Sequence, residues 1–379
     1  MKKLIAMLLA LVMVLGLVAC AAKTETPAAE TPAAETPAVE TPAEEEPAEE
    51  EPAEVVEGAV KTDEIATEGK AAELGIPAAV VLQDTTVLEG KKIGCSICYK
   101  GDEWCAALAQ ALEAIGAYYG ADIVCEDGDL NDETQTKQIE NMISNNCDII
   151  MIDPITPDGS AVALNAAVDA GIPIVIYDGY WTEGPEKAVT TVTWDQKATG
   201  TITGEYFINY LKEQGKTSVR IVELTNAVST HCQERFVGLH EVFEAAEAEG
   251  ITIEILNKYD SQGNRETAYN AIAAVVEPYD YIISDVDNGA MGAVSALQAA
   301  GNTDVKVFSM GAYGAEPFGK LHDGDPNYQA CLNVDAWVLA QFIYEGAIGY
   351  FEGKEVPTQT NIDLFMVDSS NVENFWSFN

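Results

Sequence analysis

The stretch KKIGCSICYKGDEWCAALAQALEAIGAYYGADIVCEDGDLNDETQTKQIENMISNNCDIIMIDP, residues 91–154, decides the fold. Residues 92–99 form an apolar run of strand length, and residues 103–119 are an Ala- and Leu-rich segment that reads as a helix. Residues 122–125 and 148–152 are again short apolar runs, separated by a helical pattern over residues 134–144. The order is β-α-β-α-β. Strands this uniformly apolar are covered on both faces, so they predict a parallel sheet wrapped by helices.

Toward the C terminus the pattern continues with a helix at 160–170, strands at 174–177 and 189–193, and a helix at 200–214. It then restarts, with strands at 219–224, 252–256, 281–284 and 305–309 and helices at 229–249, 265–276 and 289–300. An α/β chain of two doubly wound parallel-sheet lobes is expected. Ligands of such sheets bind beyond the carboxyl ends of the strands, and two facing lobes place a cleft there. The loops at those ends hold residues 100–104, 178–181, 194–195, 226–233, 285–288 and 310–313, a mixture of carboxylates and aromatics. That mixture suits sugars, whose apolar ring faces stack on aromatics while Asp and Asn bond the hydroxyls.

Six segments in order, KKIGCSICYKGDEWCAAL, NDETQTKQIENMISNNCDIIMIDP, AAVDAGIPIVIYDG, ERFVGLHEVF, DVDNGAMGAVSALQAAG and NVDAWVLAQFIYEGAIGYFEGK, resemble the type I periplasmic-binding-protein fold. They are most similar to the ribose- and galactose-type sugar-binding lipoproteins that feed ABC importers. The resemblance implies a three-segment hinge near Trp194, Asn333 and Pro357. Residues 91–194 with 334–356 then form the N-terminal lobe, residues 195–333 with 357–379 the C-terminal lobe, and residues 59–90 an N-terminal extension. It also implies that Trp104 stacks on the ligand, that Asp178 is the strand-end aspartate, that Gln233 stands where relatives often carry arginine, and that Asn333 is the hinge-side amide. Glu103, Trp181, Asp195, Asp285 and Asp287 complete the expected binding set. Two departures stand out: Gly179 follows the strand-end aspartate where ribose-type binders have arginine, and Gly311 replaces an aspartate. No arginine is expected in the cleft, so an amino sugar or another cationic ligand stays open beside a neutral sugar.

At the other end, MKKLIAMLLALVMVLGLVAC has a basic start and an apolar run of secretory length. Its L-V-A-C ending resembles the lipobox of bacterial lipoproteins, so residues 1–20 are expected to be a signal peptide with Cys20 lipidated. Residues 21–58 repeat T-P-A-(A/V)-E and decay into Glu/Pro-rich sequence, which denies helix and strand alike. A disordered acidic tether is expected, and at about 3 Å per residue its reach is on the order of 100 Å. The predicted location is the outer side of a cell membrane, or the periplasm.

The formal net charge of −42 argues against nucleic acid and anionic membrane surfaces as partners. Three histidines and three arginines leave little for histidine catalysis or phosphate clamping, and no cofactor or metal motif stands out. The seven cysteines beyond Cys20 are an odd, scattered set that reads as buried thiols rather than as a disulfide framework. Three functions remain: a solute receptor delivering to an ABC permease, a sensory receptor of the same fold, and an enzyme on similar lobes. The enzyme reading lacks a nucleophile or acid–base motif, and a monomeric solute receptor is favoured.

Overall fold

The computed structural model describes residues 55–101 and 103–378. The signal peptide, Cys20 and nearly all of the tether expected from the sequence lie outside the described residues. Residues 55–91 form an extension with one short helix, α1 (Gly69–Glu73).

The first lobe is built on strands β1 (Lys92–Ile97), β2 (Asp122–Asp127), β3 (Ile149–Ile152), β4 (Ile174–Tyr177), β5 (Thr190–Thr193) and β11 (Gln359–Asn361). Their order is β11-β5-β4-β3-β1-β2, and every pair is parallel. Alternation within the strands sends side chains to two separate cores. Ile149, Met151, Val175 and Tyr177 join the cluster under α2 (Glu103–Tyr118) and α10 (Ala336–Phe351). Ile150, Ile152, Ile174 and Ile176 face α3 (Asp132–Ser144) and α4 (Ala161–Asp169). Both sheet faces are therefore apolar, as the unbroken runs required. The cysteines of the described residues are free thiols, and Cys95 and Cys125 sit opposite each other on β1 and β2, Sγ to Sγ 2.8 Å, inside the first core.

The second lobe has strands β6 (Ser218–Thr225), β7 (Thr252–Asp260), β8 (Tyr281–Ser284), β9 (Lys306–Ala312), β10 (Tyr328–Asn333) and β12 (Phe365–Val367), in the order β12-β10-β9-β8-β6-β7. One face is covered by α5 (Gln196–Glu213) and α6 (Thr230–Ala248). The other carries α7 (Arg265–Ala273), α8 (Asp287–Ala299) and α9 (Ala315–His322). The sheet is not wholly parallel, because β12 runs antiparallel to β10 at its edge.

The chain passes between the sheets three times: between Thr193 and Gln196, between Asn333 and Ala336, and between Asn361 and Phe365. The third passage was expected at Pro357. It falls later because Gln359–Asn361 first pairs with Thr191, Val192 and Thr193 in the first sheet. Helix starts at the strand ends are fixed by side-chain caps, from Asn131 to the Thr134 amide, Asp195 to Ala198, Ser229 to Cys232, and Asp335 to Trp337 and Val338.

Candidate functional site

Loops leaving the first sheet meet loops leaving the second, and the Tyr180 ring stands 5.7 Å from the His231 ring across that seam. On the first-lobe side Trp104 lies in the opening turn of α2, half-buried, and donates its indole N–H to the Val334 carbonyl at 2.7 Å. Its ring centroid is 5.8 Å from that of Trp194. Asp178 follows β4 in the left-handed region, φ 53°, a strained conformation for any residue with a side chain. Two bonds hold it there: its N–H donates to Val192 O at 2.9 Å and its carbonyl accepts from the Thr193 hydroxyl at 2.8 Å. Burial depresses the His231 pKa, with the Asp178 charge acting to raise it and Arg235 to lower it.

The second-lobe side begins with two glycines. A methyl group on Gly200 would collide with the Arg235 carbonyl, and one on Gly238 with that of Lys197, so α5 and α6 pack backbone to backbone. That approach sets Gln196 and Arg235 side by side at the strand ends. Arg235 Nε donates to Gln196 Oε1 at 2.8 Å, and Nη1 donates to the carbonyls of Asp285 at 2.9 Å and Met310 at 3.3 Å. A Cβ on Gly311 would lie 2.6 Å from Nη1, so the side chain missing there makes room for the guanidinium. The expectation of a cleft without arginine is corrected: Arg235, inside the ERFVGLHEVF segment, brings a fixed cation to the ends of β8 and β9.

Asp285 is 0% exposed beside this cation, and neither carboxylate oxygen meets a donor at full hydrogen-bond geometry. Burial pushes its pKa up to about 6, against the pull of Arg235, the Cys232 thiol and the Val286 and Asn226 amides. Asn226 Oδ1, Gln196 Nε2, Asn333 Oδ1 and Trp194 Nε1 are likewise buried without partners. Orphaned buried polar atoms are costly in native proteins; others are scattered over both lobes, and this group lies around strand ends and the first two lobe crossings. Acceptors outnumber donors among them, which suits a ligand bearing several hydroxyl donors.

The other expected residues are placed differently. Asp195 is exposed, and its carboxylate caps α5 through the Ala198 amide at 2.8 Å, so it is committed to the helix. Trp181 is 1% exposed and packs among the residues under α3 and α4. With Tyr180, Glu186 and Glu234 it lines a pocket of about 660 Å³ beside the seam. Gln233 is exposed and donates to the Asn226 carbonyl at 2.7 Å. Glu103 is exposed at the first residue of α2, and Asp287 opens α8 with its carboxylate on the Asn288 amide at 2.7 Å. Gln196, Asn226 and Arg235 were not singled out from the sequence. Asn226 lay within a flagged loop, whereas Arg235 had no local signal beyond the motif around it.

Residues 93–355 match the family described as periplasmic binding protein domain. A protein of Rhizobium meliloti named for rhizopine binding is 30% identical over 61% of this chain and 74% of its own length. The D-apiose import binding protein of Actinobacillus succinogenes is 27% identical over 71% of this chain and 84% of its own. Among solved structures, an ABC transporter solute binding protein from Bacillus halodurans C-125 with bound myo-inositol superposes with a TM-score of 0.68 at 22% identity, covering 77% of this chain and 99% of that one. The family consists of extracytoplasmic solute-binding proteins rather than enzymes, and the two-lobed architecture and matched segments place this chain in it: it belongs to the periplasmic binding protein family.

Proposed function

We propose that the protein captures a small polyhydroxylated ring, a sugar or cyclitol, between its lobes and delivers it to an ABC transporter permease. The observation that carries this reading is the cluster of buried, partnerless polar atoms on Gln196, Asn226 and Asn333 beside the fully buried Asp285 carboxylate. Trp104 supplies the stacking face and Asp178 a second carboxylate. Arg235 already neutralises part of the Asp285 charge, which favours a neutral polyol over a cationic ligand. The names of the relatives, in rhizopine, apiose and ribose binding, support a carbohydrate-like ligand. Lipid on Cys20 would hold the protein, as a monomer, on the outer face of the membrane, and the lipobox-like sequence ahead of an acidic Pro-rich segment supports that arrangement.

A thermal-shift panel of pentoses, hexoses, inositols, amino sugars and sugar acids tests the ligand class, since binding to the native state raises the melting temperature by mass action. Neutral polyols are expected to give the largest shifts. Shifts confined to amino sugars or to sugar acids would contradict this reading.

A further inference from the structure

The family match starts at residue 93, so residues 55–91 lie ahead of the matched domain. They touch both lobes. Val56 and Ala59 pack on the second lobe's core under α7 to α9, and Gly58 lies so close to Phe365 that a Cβ would stand 3.2 Å from its ring. The Asp63 carboxylate accepts from the Ser377 amide at 2.9 Å and from its hydroxyl. From Ile65 onward the chain lies on the first lobe. Ile76, Val80 and Leu88 enter its core, the Val81 amide donates to Gln341 Oε1 at 2.7 Å, and the Gln83 amide donates to the Tyr119 hydroxyl at 2.8 Å.

Thr62 precedes Asp63 within the second-lobe anchorage, just before the chain crosses to the first lobe, and is 3% exposed. Its hydroxyl donates to Asp335 Oδ2 at 2.6 Å and meets the Tyr313 hydroxyl at 3.0 Å. Tyr313 follows β9 in the second lobe, while Asp335 lies on the second passage between lobes and caps α10 of the first. The neighbours of Asp335 belong to the ligand site: Asn333 carries a partnerless Oδ1, and the Val334 carbonyl holds the Trp104 indole. We propose that residues 55–65 are a fourth lobe-to-lobe segment, and that Thr62 is a positioning residue which fixes residues 333–335, and through them Trp104, by its bond to the Asp335 carboxylate. Burial pushes the Asp335 pKa up to about 6, while the Thr62 hydroxyl and the Val338 and Trp337 amides pull it back. Without Thr62, one oxygen of a buried carboxylate loses its donor, and the passage loses its link to the strap.

The consequence for affinity rests on the proposed function; the consequence for the ligand-free hinge does not. In the full chain without ligand, Thr62→Val should speed amide exchange over residues 333–340 and 103–108 by about tenfold, reporting more frequent local opening. Thr62→Ser should restore it. Ile76→Val, which thins the strap's packing on the first lobe without touching the hinge, should leave it unchanged. With myo-inositol as the probe, Thr62→Val should weaken binding by about threefold to tenfold, and Thr62→Ser should recover it. Unchanged exchange in Thr62→Val, or equal acceleration in Ile76→Val, would overturn the proposal. If no polyol in the panel binds the wild type, the proposed function fails, while the exchange comparison still decides the role of Thr62.

Discussion

The two faces of the cleft are built on opposite principles. On the first lobe, Trp104 and Asp178 are held by bonds within the protein, the indole on Val334 and the strained aspartate backbone on Val192 and Thr193. On the second lobe, Asn226 and Asn333 keep buried oxygens without partners beside the buried Asp285 carboxylate, next to an Arg235 that is held through Nε and Nη1. The first face presents a preorganised shape, and the second presents hydrogen-bonding capacity that a ligand would complete. Shape fixes where a ring can lie. Under the proposed function the orphaned atoms set the selectivity, because a site with unmet polar groups penalises any ligand that leaves them unmet.

The contrast breaks most severely at Arg235. Arg235→Met should remove the cation from beside the buried Asp285 and cost on the order of 3 kcal/mol of stability, read by denaturant unfolding, with ligand binding lost. A stable variant that still binds would show that the guanidinium does not organise the second face. Asp285→Asn should keep the fold and weaken binding by roughly tenfold to a hundredfold in calorimetric titration.

The same variant isolates a pH effect with a definite sign. Asp285 has its folded pKa raised to about 6 from an ordinary value of 3.8. Its contribution to stability is therefore fully present below the ordinary value and is lost as pH rises through about 6. Ligand-free wild type should gain on Asp285→Asn by about 2 kcal/mol between pH 7 and pH 4. Binding should run the other way, weakening below pH 6 in wild type and staying flat in the variant, because protonation removes an acceptor. Parallel pH profiles in the two proteins would remove Asp285 from the site.

On the first face, Trp104→Ala and Asp178→Ala should each weaken binding by about tenfold, with folding little affected. Near-wild-type affinity in both would place the ligand elsewhere. The smallest effect is expected at Asp195. Asp195→Ala should lose a helix cap worth about 1 kcal/mol of stability and leave affinity unchanged, and a large loss of binding would return Asp195 to the site.

The positions of Trp104 and Asp178 in the strand-end loops were legible in the sequence, because they follow the apolar runs of β1 and β4; their roles at a ligand were read from the family resemblance. Asp285 was flagged by its place after the apolar run of β8, whereas Asn333 was read from the family resemblance alone. Arg235 was not legible, since its position depends on a backbone contact between helices at Gly200 and Gly238 and on space left by the distant Gly311. No local pattern encodes that convergence. The third passage was misplaced because the polar Gln359–Asn361 is a strand only by virtue of the edge it joins. Trp181 was placed in the binding set from its strand-end loop, but its side chain is buried among residues of β4, α3 and α4.

A crystal structure with the polyol that gives the largest thermal shift tests the central claim most directly. The ligand is expected to lie between the lobes with its ring on Trp104 and its hydroxyls donating to Asp285 and Asn333. A ligand seated instead in the pocket lined by Tyr180, Trp181 and Glu234, with the Asp285 and Asn333 oxygens untouched, would contradict it.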